Sequence, residues 1–152
     1  MTMRLQTLKK PAVFIALVAV YFVLGKLSLK LAFVHPSATA VWLPAGMALA
    51  AIVLLGYWVW PALLLGAFLV NGTTAGSIAT SVCIASGNTL EALLGAYLLK
   101  RFAHGRHALE KAPDIFKFAM LAGMLSTLVA ATFGVSTLSL AGFAHWSRYK
   151  EI

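Results

Sequence analysis

Five long apolar runs separated by short polar breaks make up nearly the whole chain. They extend from about Pro11 to Val34, Ala38 to Leu55, Tyr57 to Gly72, Ser77 to Phe102 and Asp114 to Gly142. A helix that crosses a bilayer needs about 20 mostly apolar residues. The pattern therefore predicts an all-α fold, a polytopic integral membrane bundle of about five helices. The breaks carry turn chemistry. Pro11 suits the first turn of a helix, where a missing N–H costs nothing. "HPSATA" makes the first break; in "GYWVWP", Gly56 ends one helix and Pro61 opens the next. "NGTTAG" is a turn cluster. "KAPD" sets Asp114 near the start of span five, where a carboxylate suits the helix dipole.

The third run is short. A helix opening at Pro61 has about 11 apolar residues, roughly 17 Å at 1.5 Å per residue. Spans two and three are thus expected as tilted crossings or as a short re-entrant hairpin buried in protein. Either arrangement returns the chain to the same side.

Composition agrees with a membrane protein. Of 152 residues, 61% are hydrophobic and 11% charged, too few polar groups to cover a soluble domain. The net charge of +8 would suggest nucleic acid in a soluble protein. Here the bases end apolar runs, so they read as topology determinants beside anionic lipid, and no nucleic-acid partner is expected. Arg4, Lys9 and Lys10 precede span one; Lys100, Arg101, Arg106, Lys111 and Lys117 surround the loop between spans four and five. Four crossings separate the groups, so both lie on one side, expected to be the cytoplasmic face of the cell inner membrane. Tyr57, Trp58 and Trp60 form an aromatic belt on that side, and Trp42 marks the outer end of span two. "MTMRLQTLKK" before an apolar run could pass for a signal peptide, but no small-x-small cleavage site follows, so an uncleaved span is expected. Cys83 lies in an apolar run and has no partner for an internal disulfide. The expected organisation is a basic N-terminus at 1–10, a membrane domain at 11–142 and a short polar tail at 143–152 without an output domain.

Candidate chemistry centres on Glu91. It lies ten residues before Arg101, about 15 Å deep and near the bilayer midplane. A charge there costs at least about 2.5 kcal/mol unless it is paired or faces water, so Glu91 must face the bundle. Gly87, Asn88 and Gly95 share its helix face, a small and polar stripe suited to close helix contact. Two readings stand together: Glu91 and Asn88 line a polar pocket that binds a ligand or proton, or Glu91 holds helices together. The site is expected between spans one, two and four, with Lys26 on span one as partner or, equally, as a snorkelling base.

The other features are weaker. In "VWLPAGMALA", Pro44 frees a carbonyl and Gly46 with Ala50 forms a small pair; this is a ligand-facing kink or, preferably, a capped helix start beside Trp42. Ala62 with Gly66 in span three, and Gly123, Thr127, Ala130, Ala131 and Gly134 in span five, are expected helix-packing faces. Asn71 lies at an outer turn. His104, His107 and Glu110 recur at threes in a basic solvent-facing loop, so no metal is expected. No cofactor fingerprint and no nucleophile with a positioned base is present, and no enzyme is expected.

"AVWLPAGMALAAIVLLGYWVWPALLLGAFLVN" followed by "IASGNTLEALLGAYLLKRF" resembles the membrane-associated sensor domain of the MASE family, first type. The pairing of "WLPAG" with "GNTLEALLGAYLL" carries the likeness, over about Pro11 to Gly142. The resemblance implies a sensory input module of bacterial signalling proteins, usually N-terminal to kinase, cyclase or phosphodiesterase domains. It marks Trp42, Pro44, Gly46, Asn71, Asn88, Thr89 and Glu91. It leaves the small ligand unnamed. Family members look longer, with further spans and a late Gly-Asp segment. The chain is therefore expected as a truncated gene product, a stand-alone module or a fragment that signals through a partner. An output protein or a homo-oligomer is the expected protein contact, and the lipid bilayer the surround. The alternative functions are a small transporter or its substrate-binding subunit using Glu91, and a structural remnant.

Overall fold

The computed structural model describes residues 2–30, 42–74, 77–103 and 112–142. Among them 92% are helical and none is in a strand, which settles the all-α class. Helix α1 covers Thr2–Leu29, α2 Leu43–Leu55, α3 Trp60–Gly72 and α4 Ile78–Phe102. The last helix begins as α5 (Ala112–Phe118), widens to a π-helical stretch (Ala119–Leu125) and continues as α6 (Ser126–Leu140). Among the described residues three helices, Lys10–Leu29, Ile78–Phe102 and Pro113–Leu140, are long and apolar enough to cross a membrane. The 13-residue α2 and α3 are each roughly 20 Å long. That is short of the ~30 Å hydrocarbon core.

One boundary differs from expectation. Helix α1 runs through Pro11 instead of starting there. Nothing in "TMRLQTLKK" breaks a helix, and Pro11 removes only one backbone hydrogen bond. The α2–α3 turn follows the sequence signals. Gly56 adopts φ +99°, a conformation that suits only glycine, and its N–H returns to the Ile52 carbonyl. A 3₁₀ turn (Tyr57–Val59) follows, and Pro61 occupies the first turn of α3. Trp58 Nε1 donates to the Leu55 carbonyl at 2.9 Å and closes the corner. Ser77 caps α4 by accepting from the Thr80 N–H.

Helix α4 is the central element. Its apolar window is 56% buried, against 17% for α1 and for the last helix. Small residues explain this: Ala85, Ala92 and Ala96 are at most 2% exposed, so neighbouring backbones come close. Tyr21, Ile52, Leu63, Ala67 and Val70 complete the core from α1, α2 and α3. Ala62 and Gly66 lie on the buried face of α3, and a Cβ built on Gly66 would sit 2.7 Å from Tyr21 Cβ.

The stripe expected on the last helix is displaced. Gly123, Thr127 and Ala131 are exposed. A Cβ on Gly123 or Gly134 would meet nothing within 4 Å. The buried positions are Ala122, Ser126, Val135, Leu138 and Ser139. The π-helical stretch bears on this: its wider i→i+5 turn shifts the facing register, so Ala122 and Ser126 take the buried positions and Gly123 and Thr127 lie one residue round, at the edge of the interface. Two substitutions therefore separate. Gly66→Leu should lower stability by roughly 1–3 kcal/mol through overpacking against Tyr21, whereas Gly123→Leu should unfold like the parent. Thermal unfolding in detergent checks this; equal loss in both would contradict the packing described.

Candidate functional site

Glu91 lies 13 residues after the first residue of α4 and 11 before the last, roughly 20 and 17 Å from its ends. It is 6% exposed. Its Oε1 accepts a hydrogen bond of 2.8 Å from Thr127 Oγ1, on the first turn of α6. Beside Thr127, Ser126 Oγ donates to the Leu121 carbonyl at 2.8 Å. That bond occupies a carbonyl of the π-helical stretch. Gly95 lets this wall close up: a Cβ there would lie 3.2 Å from Ser126 Oγ and 3.1 Å from Leu49. One turn before Glu91, Gly87 does the same against Phe133, whose Cβ would be 2.5 Å from an added Cβ.

A cavity of about 180 Å³ adjoins the carboxylate. Ala45, Gly46 and Leu49 of α2 form one wall, Glu91 and Gly95 another, and Phe118, Gly123 and Thr127 a third. Gly46 and Gly123 are exposed, so the cavity opens between α2 and the last helix. Among the described residues the lining is apolar except for Glu91, Ser126 and Thr127, and none of the lining residues is basic. Among the described residues no group of metal ligands forms. His104, His107 and Glu110 lie outside the described residues.

The site is thus bounded by spans two, four and five, and the expected partner on span one is elsewhere. Lys26 Nζ donates to the Val70 carbonyl (3.2 Å), the Thr73 carbonyl (2.9 Å) and Thr74 Oγ1 (2.8 Å). It caps the C-terminal end of α3, where free carbonyls attract a cation. Span one instead brings Tyr21, 2% exposed, whose hydroxyl lies beside the Trp42 and Asn88 side chains and within electrostatic reach of Glu91. Trp42 stands at the start of α2, where Ser28 Oγ accepts from the Leu43 N–H at 3.0 Å. Its indole packs against the core, with Nε1 buried near the Tyr21 hydroxyl. Pro44 is buried in the first turn of α2, a helix start and not a kink. Thr89 is buried and donates to the Ala85 carbonyl at 2.7 Å; Asn71 is buried and donates to the Ala67 carbonyl at 2.8 Å. Both bonds stay within their own helices, and neither residue lines the cavity.

The two motifs that are far apart in sequence therefore meet in space. Trp42 and Asn88 meet at Tyr21, and Gly46 and Glu91 line one cavity. The sequence model of the MASE1 family matches residues 11–149, nearly the whole chain. The chain belongs to the MASE1 family. MASE1 domains are membrane-associated sensor domains, and the apolar helices of this member suit that setting. No match is found among curated proteins or solved structures.

Sequence reasoning missed Tyr21, Ser126 and Phe118, and it read Thr127 only as packing. A signal for Tyr21 existed: Gly25, one turn on, marks the face of close contact, and a Cβ there would lie 2.6 Å from Val70. The separation of Lys26 from Glu91 has a measurable consequence. In a double-mutant cycle, Glu91→Gln and Lys26→Met should add to within about 0.5 kcal/mol, as independent sites do. A coupling of roughly 3–5 kcal/mol, the scale of a broken buried pair, would contradict the placement of Lys26.

Proposed function

We propose that this MASE1 chain is the signal-input module of a bacterial signalling system in the inner membrane, and that its stimulus acts at the Glu91 cavity. The Glu91–Thr127 hydrogen bond carries the reading. It joins the buried central helix to the last helix immediately after the π-helical stretch. A ligand that competes for the carboxylate would free Thr127. Relaxation of the π turn by one residue would then rotate α6 by roughly 100°. Rotation of a terminal helix is a change that an output domain or a partner protein can read. To test this, a diguanylate cyclase reporter is fused after Ile152 through one added transmembrane helix, which returns the chain to the cytoplasm where the reporter's GTP lies. Glu91→Gln and Thr127→Val should each shift its basal output roughly fivefold or more, the low end of ordinary allosteric coupling. Output equal to the parent in both variants, at equal protein levels, would reject the reading.

The same proposal places the N-terminus in the cytoplasm. Lys10 Nζ stands 5.7 Å from the Trp58 ring centroid and Lys100 Nζ 4.2 Å from that of Tyr57. The bases that start α1 and end α4 thus share one end with the exposed aromatic turn, as basic and aromatic anchors at a cytoplasmic interface do. In a Cys83→Ala background, a cysteine at Thr73 should react with an impermeant thiol reagent added to intact cells, and one at Gly105 should not. The reverse pattern would invert the topology.

A further inference from the structure

We infer that the Glu91 cavity takes a small primary amine with an apolar body, reaching it from the bilayer. This rests on the reading of the cavity as the stimulus site. Four observations specify the ligand. Among the described residues the only ionisable group on the wall is a carboxylate, and it is 6% exposed. Thr127 supplies its only hydrogen bond among the described residues, and no described basic side chain pairs with it. An acceptor left this way in a low-dielectric site favours a donor or cation and repels an anion. The volume of about 180 Å³ and the apolar lining suit a compact hydrocarbon or aryl body, with Phe118 available to stack. The opening lies beside Gly46 and Gly123, which carry no side chain to block it. Glu91 is near the middle of α4, so an apolar amine dissolved in the bilayer would meet the opening at its own depth. The ammonium would sit on the free side of the carboxylate, and its aryl or alkyl body would lie between Leu49 and Phe118.

The test uses the full chain in phosphatidylcholine nanodiscs, a lipid without a primary amine. Phenethylamine is the probe. Phenethyl alcohol and 3-phenylpropionate match its shape without its charge. Phenethylamine should raise the unfolding temperature saturably, and the two controls should not. Glu91→Gln should weaken the apparent affinity roughly tenfold or more, as loss of a charge-assisted hydrogen bond does. Gly123→Leu, which has room for its side chain in the fold, should abolish binding by filling the opening with Glu91 intact. Equal stabilisation by the alcohol or the carboxylate would overturn the amine assignment. So would amine binding that survives Gly123→Leu. Nanodiscs of phosphatidylethanolamine without probe form a further arm, and Glu91-dependent stabilisation there would overturn the free amine in favour of a lipid headgroup. The reporter experiment separates the two levels. If phenethylamine fails to bind while Glu91→Gln still shifts reporter output, the amine is wrong and the sensory cavity stands. If neither effect is seen, both fail.

Discussion

One carboxylate must be hidden near the middle of a helix in an apolar bundle. The rest of the arrangement serves that constraint. A charged or polar side chain at such depth is costly unless other protein groups meet it. Helix α4 meets the requirement by being central, and it is central because its contact face is built from alanine and glycine. Close approach of α2 and the last helix then brings Thr127 to within 2.8 Å of Glu91. The π-helical stretch aids this by setting the register of α6, so that Ser126 faces Gly95 while Thr127 faces the carboxylate. A regular α-helix through the same sequence would present a different pair of residues.

The remaining polar groups are arranged around the ends of the short helices. Lys26 of α1 caps the C-terminal end of α3. Ser28 of α1 satisfies the first N–H of α2. Two helices too short to span alone are thereby fixed to one that is long enough. At the other end, Trp58 and Tyr57 are each faced by a lysine from a longer helix. In an apolar surround, such polar ties add to the packing that holds the α2–α3 pair, because lipid competes for apolar contact.

Much of this was legible in the sequence, and the failures have physical causes. The helices, the Gly56–Pro61 corner and the interior placement of Glu91 follow from apolar period, turn residues and the cost of a charge in hydrocarbon. The partner of Glu91 was not legible. Depth along α1 allowed Lys26 to reach it, but depth says nothing of direction around a helix axis, and the carbonyls of Val70 and Thr73 were nearer acceptors. The packing stripe on the last helix failed because a π turn has no strong sequence signature. With it, Gly123 became part of a cavity wall and Ser126 the contact residue. Tyr21 escaped notice because a tyrosine in an apolar run reads as ordinary core until Trp42 and Asn88 are placed beside its hydroxyl.

The central claim is that Glu91 and Thr127 act as one unit across the interface between α4 and α6. A double-mutant cycle on the unfolding free energy, with Glu91→Gln, Thr127→Val and the double variant, measures it directly. The account predicts non-additive losses, with a coupling of roughly 0.6–2 kcal/mol, the range of hydrogen bonds between helices in membranes. Losses that add within error would contradict it, because the two side chains would then not depend on each other.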